Sequence, residues 1–407
     1  MIYSKNKDLR IAMLSVHSSP IGPLGTRDTG GMSVCMREVA RELGRGGHKV
    51  DIYTRRRDPA LQERIRLYEN VRLIQLSAGH ETGMDKLEVY DHLDDFFRAM
   101  EKFVRRHTLC YDLIHSHYWL SGRVGGWAQE QWKVPHLITF HTLGAVKNAT
   151  EGVESEPEVR VNTERELAQR CERILTNTER EKEQVIRYYS SPPEAIGVVP
   201  CGVDQDLFSP MDARLARRQV GLDPNGTYLL YVGRFAPSKG LDRLLKAMPL
   251  LKHPKGIRLL VIGGDGNGAS SFRDMTGICR KLGIEEVISF LGCIEHESLP
   301  AYYSAADLLV VPSRYESFGI VALEALACGT PVVATRVGAM EKIIREGETG
   351  HVVTDDPPAS LAQGIENLLP LSASVSPRSL HMSVARFDWP IVAEEMLKEY
   401  FGVLDEL

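Results

Sequence analysis

Seven cysteines are scattered through the 407 residues, at positions 35, 110, 171, 201, 279, 293 and 328, and no two of them form a C-x-x-C pair. An odd set without that spacing supplies neither a structural zinc site nor a disulfide framework, and fits reduced thiols in a cytoplasmic protein. Apolar runs of membrane-spanning length are lacking as well. The charged opening MIYSKNKDLR is followed by an apolar run too short for a secretory signal. No basic amphipathic helix stands out as a membrane-surface element. Net charge is −5, which argues against a general nucleic-acid partner but leaves room for a local basic pocket around a phosphorylated ligand. The length suffices for two domains, each with its own core, and the composition is that of a globular chain.

Short apolar runs alternate with amphipathic stretches, the pattern of an α/β protein with doubly wound parallel sheets. Residues 11–16 (IAMLSV) read as a buried strand, followed by a glycine-containing loop over 17–31, a helix over about 32–44 and a strand over 50–54. A strand over 71–76 and an amphipathic helix over 87–105 come next, the helix presenting Leu93, Phe96, Phe97, Met100, Phe103 and Val104 to a core. Strands over 113–116, 136–140 and 174–177 each run into polar residues: His117 and Tyr118, His141 and Thr142, and Thr178. Open α/β sheets bind ligands beyond the carboxyl ends of their strands, so these side chains are placed to line a cleft. The Gly30-Gly31 pair ahead of the first helix would let backbone amides approach a ligand there.

Residues 197–210 read as the link to a second array, with strands over 228–232, 258–262, 287–291, 308–311, 332–334 and 352–353. Asp204 and Asp206 in the link form a D-x-D, but no further carboxylate or histidine stands beside them to complete a metal site. The turn Gly263-Gly264-Asp265-Gly266 follows a strand, yet no acidic residue at ribose spacing supports a nicotinamide cofactor. A last amphipathic helix over 391–401 begins after Phe387-Asp388-Trp389-Pro390.

The stretch 311–334, VPSRYESFGIVALEALACGTPVVA, reads as a strand end, a loop carrying Glu316, a helix carrying Glu324, and a second buried strand. Ser317 is placed to cap this helix, Gly319 to admit a ligand to its first turn, and Gly329 to end it in a left-handed conformation. Free amides at such a helix start suit a phosphate or diphosphate. Were both carboxylates on helix, they would stand roughly 12 Å apart along its axis. That is about the span from the sugar to the ribose of a nucleotide sugar, whose vicinal hydroxyls carboxylates bind well. Arg234 and Lys239, in Gly233-Arg234-Phe235 followed by Lys239-Gly240, lie just past a strand. Taken singly, each is compatible with an ordinary solvated surface charge.

With its E-x7-E pair and its G-R-F-x-x-x-K-G run, the chain resembles the retaining GT-B glycosyltransferases of family 4 along nearly its whole length. The resemblance implies two Rossmann-like domains facing across a cleft: an acceptor domain over 1–203, joined by a C-terminal helix over 390–407 that crosses back to it, and a donor domain over 204–389. It implies a nucleotide sugar as co-substrate, a UDP-sugar carrying N-acetylglucosamine or glucose being favoured, with no metal or other cofactor required. The matching donor positions are Gly31, Arg234, Lys239, Ile294, Glu316, Ser317, Phe318, Gly319, Ile320 and Glu324, and the base would meet the backbone of residues 293–297. Arg234, Lys239, Glu316 and His141 take the catalytic positions, His141 facing the donor sugar near the reacting carbon.

On the acceptor side His17, the run Asp28-Thr29-Gly30-Gly31-Met32, and residues 115–122 and 141–148 are similar to the inositol-phosphate branch of the family and, less so, to sucrose-phosphate synthases. There Lys86, Tyr118, Thr142 and Arg160 match the positions that hold an acceptor phosphate, with His17, Gly30 and Ser33 beside them. Ser33 stands where that branch has an asparagine, which removes an amide from the ring pocket. Read without the resemblance, Lys86 and Arg160 are ordinary solvated charges. A synthase using fructose 6-phosphate, making sucrose phosphate or mannosylfructose phosphate, is the nearest alternative. A non-catalytic nucleotide-sugar-binding protein is disfavoured by the presence of all four of Arg234, Lys239, Glu316 and Glu324. A homodimer is left open.

Overall fold

A computed structural model of the chain describes residues 8–22, 30–80, 83–264, 270–354, 358–372 and 374–406. The first sheet is built from β1 (Arg10–Leu14), β2 (Lys49–Arg55), β3 (Arg64–Tyr68), β4 (Val71–Leu76), β5 (Leu113–His117), β6 (His136–Thr139), β7 (Arg173–Thr176) and β8 (Ile196–Val198). Its strand order is β3-β4-β2-β1-β5-β6-β7-β8. The second contains β9 (Thr227–Val232), β10 (Ile257–Ile262), β11 (Ile288–Gly292), β12 (Leu308–Val311), β13 (Val332–Thr335) and β14 (Gly350–Val353), in the order β11-β10-β9-β12-β13-β14. All strand pairs are parallel except β3 with β4. Parallel strands need both faces covered: β12 (LLVV) and β1 after Arg10 are buried apolar runs, and β5 (LIHSH) is buried throughout with its two histidines. The chain therefore has the GT-B arrangement of two Rossmann-like halves. No helix among the described residues is long and apolar enough to cross a membrane.

Three local readings change. The helix expected over 87–105 is two helices, Lys86–Asp91 and Leu93–Arg106, broken at His92. Asp85 and Glu88 form a reciprocal capping box at the start of the first, a D-x-x-E signature that placed the boundary earlier. Strand β3 was not expected: in Arg-Ile-Arg-Leu-Tyr the exposed arginines alternate with half-buried apolar residues, as on a sheet edge. Strand β8 occupies the beginning of the expected link, and Gly197 within it leaves room for Glu399, whose carboxylate carbon would lie 2.5 Å from an added Cβ.

The two halves are joined twice. One hydrophobic cluster continues from Ile11 and Val39 through Val203 and Phe208 to Leu323 and Trp389. The C-terminal helix, Trp389–Asp405, starts beside the second sheet and ends on the first. There the Tyr400 hydroxyl meets His115 Nδ1 at 2.7 Å, and Glu399 pairs with Arg173 at 2.8 Å. Where the chain passes between halves, the Val203 amide donates to the Phe387 carbonyl at 2.8 Å. Trp389 packs so closely on Gly202 that a Cβ there would lie 2.6 Å from the indole. Asp204 is occupied structurally, accepting from the amides of Asp206 and Leu207 and from Arg41 at 2.9 Å.

Replacing Tyr400 by Phe deprives buried His115 of one partner while keeping the ring. The expected loss is about 1–3 kcal/mol of unfolding free energy, the range for an orphaned buried polar group. Denaturant titration checks it, and an unchanged midpoint would mean that the hydroxyl does not anchor the crossing helix.

Candidate active site

A cavity of about 310 Å³ opens where the carboxyl ends of the two sheets face one another. His17, Gly30, Gly31, Lys86, Tyr118, His141, Thr142 and Arg160 line it from the first half; Arg234, Lys239, Ile294, Glu316, Ser317, Phe318, Gly319, Ile320 and Glu324 line it from the second. Ser33 is the exception among the expected residues. It is buried beneath the helix Gly31–Arg45, its hydroxyl sharing a hydrogen bond of 2.8 Å with Ser18. On that helix Gly31, Met32, Val34 and Cys35 reach the wall, and Ser33 turns inward, so the expectation that it borders the acceptor pocket is corrected. Asp28 and Thr29, like Asp265 and Gly266, lie outside the described residues.

On the second-half wall, Lys239 ends the short turn Pro237–Lys239. Gly240 follows at φ +66°, where a Cβ would lie 2.0 Å from the Pro312 carbonyl oxygen, so only glycine brings the turn this close to the end of β12. Lys239 Nζ reaches Glu316 Oε1 at 2.6 Å, and the Ser313 hydroxyl donates to the same oxygen at 3.0 Å. The loop carrying Arg234 is fixed through its own backbone: the Tyr231 hydroxyl donates to the Arg234 carbonyl at 2.8 Å. Gly263, at φ +116°, would place a Cβ 2.2 Å from the Gly233 carbonyl oxygen, so the glycine turn after β10 serves to pack against this loop.

The helix carrying Glu324 runs Ile320–Ala327 and starts from Gly319 at φ +105°, with no side-chain cap. Ser317 therefore does not cap it, because the chain still turns through Phe318 and Gly319 before the first helical residue. Glu316 precedes the helix, so the helical spacing between the two glutamates does not apply. Gly329 ends this segment at φ +81°, as the sequence suggested. Glu324 is buried, with His296 Nε2 at 2.7 Å from one oxygen and the Tyr303 hydroxyl at 2.6 Å from the other. Burial alone would lower the pKa of His296; the Glu324 carboxylate outweighs it and holds it above the ordinary value.

The first-half wall gathers cations around one tyrosine. Arg160 is fully buried and donates to the Tyr118 hydroxyl at 2.8 Å and to the Thr142 hydroxyl at 2.9 Å, so it is no solvated helix charge. Lys86 stands 5.2 Å from the centre of the Tyr118 ring, and His17 packs on the same ring at 4.4 Å. His141 adopts φ +60° and lies with Nε2 2.8 Å from His117 Nδ1. Burial, with His117 adding to it, holds His141 well below the ordinary histidine pKa, and burial takes His117 down to about 3. Both rings are thus neutral, and one donates to the other.

Several wall residues were not anticipated: Lys147, Glu156, Ser238, His296 and Tyr315. Glu324 on an apolar helix demanded a partner, but nothing in the sequence marks a histidine 28 residues away as that partner. Tyr315 bridges the halves, its hydroxyl accepting from the Leu143 amide at 3.0 Å, and its signal was only an aromatic beside Glu316.

Residues 29–207 match the family described as Glycosyltransferase Family 4, and residues 212–377 match that described as Glycosyl transferases group 1. D-inositol 3-phosphate glycosyltransferase 2 of Catenulispora acidiphila is 38% identical over 98% of this chain and 96% of its own. The chain belongs to glycosyltransferase family 4. A second relative, D-inositol 3-phosphate glycosyltransferase of Corynebacterium glutamicum, is 39% identical over 89% of this chain and 88% of its own. Among solved structures, sucrose-phosphate synthase of Thermosynechococcus elongatus superposes with a TM-score of 0.90 at 33% identity, covering 98% of this glycosyltransferase and all of the synthase.

Six buried histidines make the glycosyltransferase acid-sensitive. Burial holds His17, His48, His115, His117, His136 and His141 below 6.5, so the unfolded chain binds protons that the fold refuses. Their stabilising contribution is complete above pH 6.5 and is lost as pH falls below it. Glu181, pushed up to about 7 by burial, and His296, raised by Glu324, act in the opposite direction over part of that window. Six against two leaves a net loss of roughly 1 kcal/mol or more per pH unit between pH 6.5 and 5. Thermal unfolding across that range checks the sign; a flat or rising midpoint would contradict it.

Proposed function

We propose that this family-4 glycosyltransferase moves a hexosyl group, with retention of anomeric configuration, from a nucleotide sugar to a phosphorylated polyol such as inositol 3-phosphate. A UDP-sugar carrying N-acetylglucosamine or glucose is the donor of choice. The observation that carries the reading is the single cavity with Arg234 and the Lys239–Glu316 pair on one wall and the Tyr118–Thr142–Arg160 cluster on the other. Relatives named for inositol 3-phosphate, at 38–39% identity over most of the chain, support the acceptor class.

In this reading residues 204–389 bind the donor, and residues 1–203 with the crossing helix bind the acceptor. Arg234 and Lys239 hold the diphosphate, backed by the uncapped amides at Gly319 and Ile320. Glu316 orients Lys239 and accepts from the donor sugar, Glu324 takes the ribose hydroxyls, and Ile294 and its neighbours flank the base. Lys86, Tyr118, Thr142 and Arg160 receive the acceptor phosphate beside His17 and Gly30, which aims one ring hydroxyl at the anomeric carbon. That hydroxyl attacks on the leaving-group side: its oxygen bonds to the anomeric carbon as the bond to the diphosphate oxygen breaks, and its proton passes to a donor phosphate oxygen. Neutral His141 donates to a sugar hydroxyl near the reacting carbon. The two cations meet charge that grows only as the diphosphate departs, so they act on kcat as well as on affinity.

Fructose 6-phosphate is the second acceptor to consider, because sucrose-phosphate synthase shares the fold at a TM-score of 0.90 and Ser33 lies off the acceptor wall. A product assay crossing UDP-, GDP- and ADP-sugars with inositol 3-phosphate and fructose 6-phosphate tests both. Product is expected with a UDP-sugar and a phosphorylated acceptor; glycosylation of unphosphorylated or lipid acceptors alone would refute the assignment. Lys239→Met should lower kcat by about 10²–10³, the cost of removing one preorganised charge stabiliser. An effect confined to the donor KM would reduce Lys239 to a binding residue.

A further inference from the structure

Arg160 already has a full set of partners. Nε donates to Glu164 at 2.7 Å, Nη1 to the Tyr118 hydroxyl at 2.8 Å, and Nη2 to the carbonyl and hydroxyl of Thr142 at 2.7 and 2.9 Å, while Nη1 also forms an ion pair with Glu156 at 2.9 Å. A guanidinium has five N–H donors; four hydrogen bonds to the protein and the ion pair with Glu156 occupy its edge. A phosphate oxygen can reach Arg160 only by displacing one of these.

The five are not equally replaceable. Glu164 is fully buried and is also held by the Gly144 amide at 2.8 Å and by the Tyr189 hydroxyl. The Thr142 carbonyl is main chain, and the two hydroxyls can stay in place while donating to a ligand. Glu156 differs. It lies on the cavity wall with its side chain 12% exposed, in the irregular stretch between the helices Gly144–Asn148 and Glu158–Arg170. The Asn148 side chain grips its main chain at both groups, accepting from the Glu156 amide at 2.6 Å and donating to its carbonyl at 3.0 Å. The side chain can therefore swing out while the backbone stays fixed. Its carboxylate bridges Arg160 and Lys147, a second cation on the cavity wall. Burial works against its charge, but Arg160 and Lys147 outweigh it and keep its pKa below the usual carboxylate range. Glu154, 3.9 Å from Lys147, is not on the cavity wall and stays beside Lys147 in either arrangement.

We propose that Glu156 is an internal stand-in for the acceptor phosphate: its carboxylate neutralises Arg160 and Lys147 in the empty site, and the incoming phosphate displaces it. The idea rests on the reading of this wall as a phosphate site and adds a specificity device to it. Without Glu156, Arg160 would keep only Glu164 and Lys147 only the more distant Glu154 at 3.9 Å, so the carboxylate improves the charge balance of the empty site. A phosphate dianion brings more charge and a third oxygen, and can replace it. A neutral polyol cannot compete for the cations, so the acceptor lacking its phosphate finds the place taken.

Glu156→Gln removes the competing charge and keeps the shape. The probe is inorganic phosphate, read as the rise in unfolding midpoint of each protein over its own phosphate-free baseline, and as inhibition of transfer to the phosphorylated acceptor. The variant is expected to bind phosphate about tenfold tighter than the parent, with a lower KM for the phosphorylated acceptor and an unmoved KM for the UDP-sugar. Equal or weaker phosphate binding in the variant overturns the proposal, since Glu156 would then be a strut that positions the two cations. Binding by neither protein overturns it as well. A less stable variant still reports, because each midpoint shift is taken against its own baseline. Tighter phosphate binding by a variant whose parent glycosylates only unphosphorylated acceptors would uphold the displacement while refuting the proposed acceptor.

Discussion

The chain crosses between its two halves twice, and the crossings are bonded to each other. The outgoing segment supplies Gly202 and Val203, the returning one Phe387 and Trp389. The Val203 amide donates to the Phe387 carbonyl, and the indole of Trp389 fills the space that a side chain at position 202 would need. From this point the last helix continues onto the first sheet, where Glu399 and Tyr400 reach Arg173 and His115. Everything between the sheets depends on this junction, because each wall of the cavity is carried by strand ends belonging to only one half. Two sheets whose strands, β3 apart, have their carboxyl ends on one side make such walls; the crossing sets them face to face.

Several charges on the cavity wall are paired before any ligand arrives. Lys239 is paired with Glu316, Glu324 is satisfied by His296 and Tyr303, and Arg160 is divided among Glu156, Glu164 and neighbouring oxygens. Unpaired buried charge is expensive, so a site that must meet phosphates on two sides carries its cations together with internal anions. The histidines contribute differently: deep burial keeps His117 and His141 uncharged, which leaves them as short-range hydrogen-bonding groups beside the cations. Glycines hold this arrangement tight, Gly240 and Gly319 each taking a positive φ where an added Cβ would strike Pro312 or Met340.

Much of this was legible in the sequence because period and position carried it. Strands at regular α/β spacing, several of them running into His, Tyr, Thr or Arg, placed Tyr118, His141, Thr142 and Arg234 at strand ends, and the structure brings them to one cavity. Side-chain direction within a loop or first helical turn was not legible. Ser33 turns under its helix toward Ser18, and Ser317 falls short of the helix it was expected to cap. Pairings across long separations were equally hidden: His296 with Glu324, Tyr315 with Leu143, and Glu156 with both Lys147 and Arg160 depend on how elements pack. The short edge strand β3 escaped because its five residues alternate charge with only two or three half-buried apolar positions.

The central claim is that one cavity serves both a nucleoside diphosphate and an acceptor phosphate, held by opposite walls. A crystal structure of the protein with UDP and inositol 3-phosphate tests it most directly. The account places the diphosphate against Arg234, Lys239 and the amides at Gly319 and Ile320, with the acceptor phosphate against Tyr118, Thr142 and Arg160 across the same space. Density for the two ligands on separate surfaces, or a diphosphate bound away from Arg234 and Lys239, would contradict it.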